Sequence, residues 1–177
     1  KPMKAICDNL RRTGQFEIVR FPEEVILNSP IEEWPHPVDC LISFFSDGFP
    51  LDKAEAYVAL RKPHCINDLT AQRTLLDRRN VYALLGENGI PCPKFVVVER
   101  DAAGNLIGES AKSFIEADDY IQLGDTKITK PFVEKPVDAE DHNICIYYPS
   151  SAGGGMKSLF RKVGDQSSDY HPMVSHV

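Results

Sequence analysis

The sequence predicts an α/β protein, and three features carry that expectation. Helical and strand-like segments alternate from Pro2 to Leu60. A near-continuous apolar run, Cys40-Leu-Ile-Ser-Phe-Phe45, lies between two helical stretches, as strands of a parallel sheet covered on both faces do. Beyond Gly89-Ile90-Pro91 the pattern becomes short β runs separated by glycine and Asn/Asp turns.

Pro2 suits a first helical turn, and Met3, Ile6, Cys7 and Leu10 recur at helical spacing before Gly14 stops them. Residues Phe16 to Phe21 read as a strand. Ser29-Pro30-Ile31-Glu32 has capping-box spacing and opens a short helical turn. Val38 to Phe45 reads as the next strand. Leu51 to Leu60 reads as a helix with Leu51, Ala54, Tyr57 and Val58 on one side. This is the rhythm of a doubly wound layer whose first strand would precede Lys1. Asn67 or Asp68 caps one long helix from about Leu69 to Asn88, ended by Gly89, Ile90 and Pro91. Then come a strand at Phe95–Val98, a turn at Ala102–Asn105, and strands at Tyr120–Leu123, Lys127–Val133, Ile144–Tyr148 and Leu159–Val163. After Gly164 the text is polar, with no closing element expected.

The 177 residues carry a net charge of −6, with 42% apolar and 26% charged residues, which suits an ordinary globular chain. No apolar run approaches the ~20 residues of a membrane span, and no signal peptide is expected at Lys1. The acidic balance argues against nucleic acid as a partner. The five cysteines are odd in number and have no metal-ligand spacing. They read as reduced core or surface thiols in a cytoplasmic protein, Cys40 and Cys145 within apolar runs.

Chemistry concentrates between Lys130 and Lys162. Gly153-Gly154-Gly155 sit between two β runs, where backbone N–H groups without Cβ hindrance can face a ligand. From His142 to Gly164 the basic residues are Lys157, Arg161 and Lys162, with no acid among them. A glycine-rich turn followed by cations is what phosphate oxygens require. It is not the usual phosphate loop, because Met156 stands where glycine belongs before Lys157-Ser158 and no helix pattern follows. Taken singly, each feature has a plain alternative. The triple glycine is a hairpin turn, Lys135 a solvated strand end, His142 a loop histidine, and Arg78-Arg79 beside Asp77 the wet face of a helix.

Together they match a family. Lys135-Pro-Val, Ala139-Glu-Asp-His142-Asn143, Ile146-Tyr-Tyr-Pro149-Ser-Ser-Ala-Gly-Gly-Gly155 and Leu159-Phe-Arg161-Lys162 resemble the kinase domain of the diphosphoinositol pentakisphosphate kinases. So do Leu41 to Lys53, Leu60-Arg-Lys-Pro63, Ile66-Asn-Asp-Leu69 and Asp77-Arg78-Arg79. The resemblance covers essentially the whole chain. It implies an ATP-grasp fold and transfer of a phosphate from ATP to the 1-phosphate of inositol hexakisphosphate or its 5-diphospho form. It assigns Arg78, Lys135, His142 and Arg161 to ATP, and Arg161 with Lys162 to the inositol phosphate. It also implies a Rossmann-like domain over 1–67 lacking its first strand, a connecting helix over 68–89, and a truncated first ATP-grasp subdomain over 90–177.

In the family, paired lysines precede the first residue here, and the magnesium ligands lie in a later half of the fold. A histidine-acid-phosphatase-like domain follows in the intact protein. The resemblance therefore implies ATP and Mg2+ as cofactors, no metal ligand within these residues, and little activity for this piece alone. Two rivals remain: another ATP-grasp enzyme joining a carboxylate to an amine or thiol, and a non-catalytic inositol-phosphate sensor. One requirement is specific. Regular alternation along Leu159-Phe-Arg-Lys sends Arg161 and Lys162 to opposite faces, so for both to meet one ligand complex the strand must bend or end there, or the ligands must wrap its edge.

Overall fold

A computed structural model describes residues 2–35, 37–44, 46 and 48–177. The chain divides into two compact units, Lys1–Arg73 and Thr74–Val177.

The first unit opens with helices α1 (Pro2–Arg12) and α2 (Glu23–Asn28), then a 3-10 turn at Ile31–Glu33. Strand β1 (Cys40–Leu41), helix α3 (Leu51–Arg61) and strand β2 (His64–Cys65) follow, and helix α4 (Leu69–Leu75) begins there. Strands β1 and β2 pair in parallel, Cys40 opposite His64 and Leu41 opposite Cys65, so α3 is the crossover of a β-α-β unit. Leu51 and Ala54 of α3 pack with Leu69 against Leu41, Phe49 and Val58. A second cluster stacks Trp34 on Tyr57 at 5.5 Å, with Phe21 edge-on to both.

Several expectations are corrected here. Residues 16–21 form no strand and have no ladder partner among the described residues, leaving Phe16 and Val19 exposed. Strand formation needs a neighbour for the backbone groups, and apolar content alone does not supply one. The 38–45 strand shortens to the two residues of β1; Phe45 lies outside the described residues. Beyond Leu41, side-chain amides replace the ladder: Asn67 Oδ1 accepts from Ser43 N–H at 3.2 Å, and Gln72 Nε2 donates to the Ser43 carbonyl. Cys40 is exposed rather than buried. The Ser29/Glu32 capping box does not form. Pro30 holds the N-cap position, while Ser29 caps the C-terminus of α2 through its N–H to Val25 O. Helix α2 itself had no apolar period to reveal it. Pro22 and two acids start it, and Lys53 Nζ donates to the Leu27 carbonyl at its end at 2.6 Å.

The expected single helix over 69–88 is two helices, α4 and α5 (Arg78–Glu87). Asp77 breaks it by capping α5, its carboxylate accepting from Arg79 N–H at 2.8 Å. The freed backbone pairs elsewhere: Arg78 N–H donates to Val137 O and Ala139 N–H to Leu76 O. The stop signal holds as expected. Ile90 N–H reaches Leu85 O, Gly89 N–H reaches Gly86 O, and Gly89 has φ 67°, a Schellman ending.

In the second unit α6 (Ser110–Ser113) leads into an antiparallel sheet of β3 (Phe114–Ala117), β4 (Tyr120–Leu123) and β5 (Thr126–Thr129). A four-stranded antiparallel meander follows: β6 (Phe132–Glu134), β7 (Ile144–Tyr147), β8 (Met156–Val163) and β9 (Gln166–His171). Ile121 of the first sheet packs against Phe132 and Tyr147 of the second, with Phe114, Ile128, Cys145 and Met156 around them. The strand expected over 127–133 is split between the two sheets around Lys130-Pro131. Residues 95–98 form no ladder; Phe95 stacks on Tyr82 at 4.5 Å and Val96 enters the core. A closing element does exist, since β9 pairs with β8 across the Gly164 turn. Its polar residues fit an edge strand.

Candidate functional site

The site is built on the loop between β6 and β7. Lys135 leaves β6, and the chain returns at Ile144 through Asp138, Glu140, Asp141 and His142. Carboxylates stitch this loop internally: Asp138 accepts from Glu140 N–H at 2.9 Å, and Asp141 accepts from Asn143 N–H at 2.8 Å. A backbone bridge ties it to the start of α5, Asp77 pairing with Asp138.

That bridge delivers Arg78. Its Nε donates to Pro136 O at 2.8 Å, and its Nη2 lies 3.4 Å from Ala139 O and 3.5 Å from Asp141 O. His142, an exposed residue, has Nδ1 2.6 Å from Glu140 O, close enough to donate to that carbonyl. Arg161, arriving from β8, meets the same loop, its Nη2 3.5 Å from Glu140 O and 3.6 Å from Glu140 Oε2. Three of the four residues expected to hold ATP thus converge on one loop, and the fourth, Lys135, begins it. Lys135 is exposed and makes no hydrogen bond or ion pair among the described residues.

Arg161 and Lys162 lie where the pairing of β8 with β9 is irregular. Register runs from Leu159 opposite Ser168 to Val163 opposite Gln166, an irregularity that contains both residues. Arg161 turns to Glu140, whereas Lys162 turns to Asp165 at 3.6 Å.

The glycine loop stands apart from these cations. It joins the far ends of β7 and β8, where Tyr147 pairs with Met156, whereas Ile144 pairs with Leu159 at the cation end. The two ends are about 10 Å apart along the strands. All three glycines have positive φ: 92°, 68° and 80°. Gly155 is required by packing too, since a Cβ there would lie 2.5 Å from Tyr170 Oη. Three of the N–H groups in this loop are engaged within the turn. Those of Ala152 and Gly154 donate to Pro149 O, and that of Gly153 to Ser150 O. The Ser150 N–H donates to Asp119 Oδ1 at 2.7 Å, and its Oγ donates to the same oxygen at 2.9 Å. These bonds, with Lys130 nearby, hold the Asp119 carboxyl below its ordinary range.

Two further groups escaped the sequence reading. Lys130 is buried, its Nζ donating to Ser175 O at 2.5 Å and lying 5.8 Å from the Tyr147 ring. Tyr147, also buried, donates to Glu134 Oε2 at 3.0 Å. Burial first, then the Glu134 charge, pushes its phenol upward. Neither residue type is ordinarily so buried, and only their place between apolar neighbours hinted at it. Among the described residues no three His, Cys, Asp or Glu side chains gather as metal ligands. No helix of the described residues is long and apolar enough to cross a membrane.

Residues 1–77 match the family model described as the diphosphoinositol pentakisphosphate kinase 2 N-terminal domain. The chain is 51% identical over 176 residues to the inositol hexakisphosphate and diphosphoinositol-pentakisphosphate kinase VIP1 of Arabidopsis thaliana, covering 99% of this chain and 16% of that protein. The chain belongs to this kinase family. Kinase 1 of Rattus norvegicus is 52% identical over 175 residues, covering 99% of this chain and 12% of its own length. The Saccharomyces cerevisiae kinase is 46% identical over 192 residues, covering 99% and 17%. The chain therefore spans less than a fifth of the length of these relatives. Its α/β architecture agrees with the class expected for the family's N-terminal region.

Proposed function

We propose that this chain forms the nucleotide- and inositol-phosphate-facing part of an ATP-grasp kinase. In the intact protein it acts in transferring the ATP γ-phosphoryl to the 1-phosphate of inositol hexakisphosphate or 5-diphosphoinositol pentakisphosphate. The observation that supports this reading best is the convergence of Arg78, His142 and Arg161 on the loop that Lys135 begins, in a chain about half identical to kinases named for those substrates.

Lys135 supplies a compact charge for phosphate oxygens. Arg161 supplies a planar fork and sits where a nucleotide and an inositol phosphate meet, with Lys162 on the inositol phosphate alone. His142 stands exposed on the loop, and Arg78 keeps the loop against α5. The nucleophile is a phosphate oxygen, already anionic, so no protein base is needed. The γ-phosphorus–oxygen bond to ADP breaks as the new one forms in line, and ADP leaves. The protein's task is to offset repulsion between two polyanions, about 1–4 kcal/mol for each close charge pair. Magnesium, when bound, neutralises phosphate charge. The described carboxylates near the loop are committed to turn bonds and to Arg161, so its ligands are expected outside these residues. The 177 residues alone are accordingly expected to turn over very little. A cytoplasmic setting and a following phosphatase-like domain belong to the same proposal.

The test uses the intact protein with Mg-ATP and inositol hexakisphosphate. Turnover that Lys135→Ala abolishes, with an unchanged melting temperature, supports the kinase. Tight inositol-phosphate binding without ATP consumption replaces it with a sensor. ATP hydrolysis that depends on an amine or thiol acceptor, with inositol phosphates inert, replaces it with a ligase.

A further inference from the structure

The glycine loop is held at both ends by side chains from outside its hairpin. At its start, Ser150 places both N–H and Oγ on one oxygen of Asp119, a residue of the turn between β3 and β4 in the other sheet. At its end, Tyr170 of β9 donates from Oη to Gly154 O at 2.8 Å, and its ring closes over Gly155 where no Cβ fits. Tyr148 braces that ring edge-on at 6.3 Å. Between the two anchors only Ser151, Ala152 and Gly153 are left, all exposed. Space is open where Cβ atoms of Gly153 and Gly154 would stand.

We propose that Asp119 and Tyr170 are positioning residues that pin this loop, confine its movement to Ser151–Gly153, and thereby set how tightly it closes on a nucleotide's phosphates. This deepens the kinase reading and rests on it. Most loop N–H groups are engaged in the turn itself, so the loop acts on a nucleotide by its placement and not as a ready-made row of donors. Placement then depends on its two roots. A protein whose loop is correctly seated only part of the time shows a nucleotide affinity reduced by that fraction. The chemical step, carried by groups at the other end of the sheet, is left nearly unchanged. Neither anchor touches substrate in this account; each acts through the loop.

The test measures KM for ATP and kcat in the intact kinase. Asp119→Ala is expected to raise KM for ATP about ten-fold, the equivalent of one net charge-assisted hydrogen bond, with kcat within about two-fold. Asp119→Asn, which keeps an acceptor, is expected to recover much of the loss. Ser150→Ala combined with Asp119→Ala should cost no more than Asp119→Ala alone, because Ser150→Ala removes only one of the two bonds that Asp119 accepts. Tyr170→Phe removes one hydroxyl and should raise KM for ATP with little change in kcat, which keeps the proposal testable if the Asp119 variants fold poorly. A melting temperature that falls while KM and kcat both hold overturns the proposal. So does an equal loss of kcat in every variant. Gly153→Val separates the two levels. If it raises KM for ATP and the anchor variants do not, the loop meets the nucleotide but is not positioned by these residues. If neither it nor they move KM, the placement of the loop on ATP is itself wrong, and the proposal falls with it.

Discussion

Arg78 is the residue whose replacement by lysine tests most of the site at once. The change keeps a positive charge and most of the length but loses the planar fork. Arg78 makes one short bond, Nε to Pro136 O at 2.8 Å, and two long ones at 3.4 and 3.5 Å. A well-aligned bond from a charged donor contributes about 1.5–3 kcal/mol, and partial exposure places this one near the lower end. The long pair adds a few tenths. Lysine can satisfy one carbonyl at a time, so the expected loss is about 1–2 kcal/mol, or a fall of about 3–6 °C in melting temperature for a chain of this size. Hydrogen exchange gives the sharper reading. The amides of Arg78 and Ala139, which bridge α5 to the loop, should exchange several-fold faster, while those of β7 and β8 keep their protection. Nucleotide affinity in the intact kinase should fall with them. Unchanged exchange at Arg78 and Ala139 would refute the reasoning, because the fork would then not be what holds the loop. A loss of ATP affinity without faster exchange would assign Arg78 to direct phosphate contact alone.

Three other outcomes are expected. Glu140→Gln releases Arg161 from an exposed ion pair; inositol-polyphosphate binding by the intact protein should tighten about two- to five-fold at low ionic strength, and the gain should vanish in high salt. Gly155→Ala should lower the denaturant midpoint more than Gly153→Ala. Both force an L residue into positive φ, at about 1–2 kcal/mol, but only position 155 meets Tyr170. The acid limb should come mainly from three aspartates, Asp77, Asp101 and Asp119, all lowered from an ordinary value of 3.8, chiefly by Arg79, by Asn105 and by Ser150 respectively, with Glu55, lowered by Arg73, adding to it. A folded pKa below the unfolded one adds stability that is complete above the unfolded value and is lost as pH falls through the folded one. Melting temperature should therefore be level from pH 5 to 7 and drop below about pH 4, and replacing all three by Asn should flatten that drop.

What could be read from the sequence was local. Helices α1 and α3, the Gly89 ending of α5 and the hairpin of β7 and β8 all rest on neighbours in the chain, and the structure has them. The misses are non-local or masked by continuity. Residues 16–21 and 95–98 have the apolar, β-branched and aromatic content of strands, but a ladder needs a partner that only the fold provides. The break at Asp77 hides because Leu69, Leu76 and Leu84 keep a helical spacing through it. Within the site, Lys135 and His142 lie in one short stretch and were legible together. Arg78 arrives only because Leu76 and Arg78 trade helical bonds for Ala139 and Val137. Asp119 and Tyr170 gave no sign, since an acid in a turn and a tyrosine in a polar strand are ordinary until the glycine loop is set between them.

Charge shows why spacing along the chain is a poor guide to electrostatics at this site. By sequence, His142 to Gly164 is basic without an acid. In space, Glu140 stands against Arg161 and Asp165 against Lys162, and Asp138 and Asp141 brace the loop that His142 ends. Arg78, Lys135 and Arg161 gathered at one loop without a ligand would repel one another. The acids of the same loop relieve that repulsion and hold the cations in place while the site is empty. An incoming polyanion must then displace Glu140 to reach Arg161, so part of its attraction is spent on an exchange of partners. Affinity under this arrangement is a difference between two paired states. A chain of net −6 can therefore serve two polyanions, provided the acids it uses to stabilise the empty site are ones a phosphate can replace.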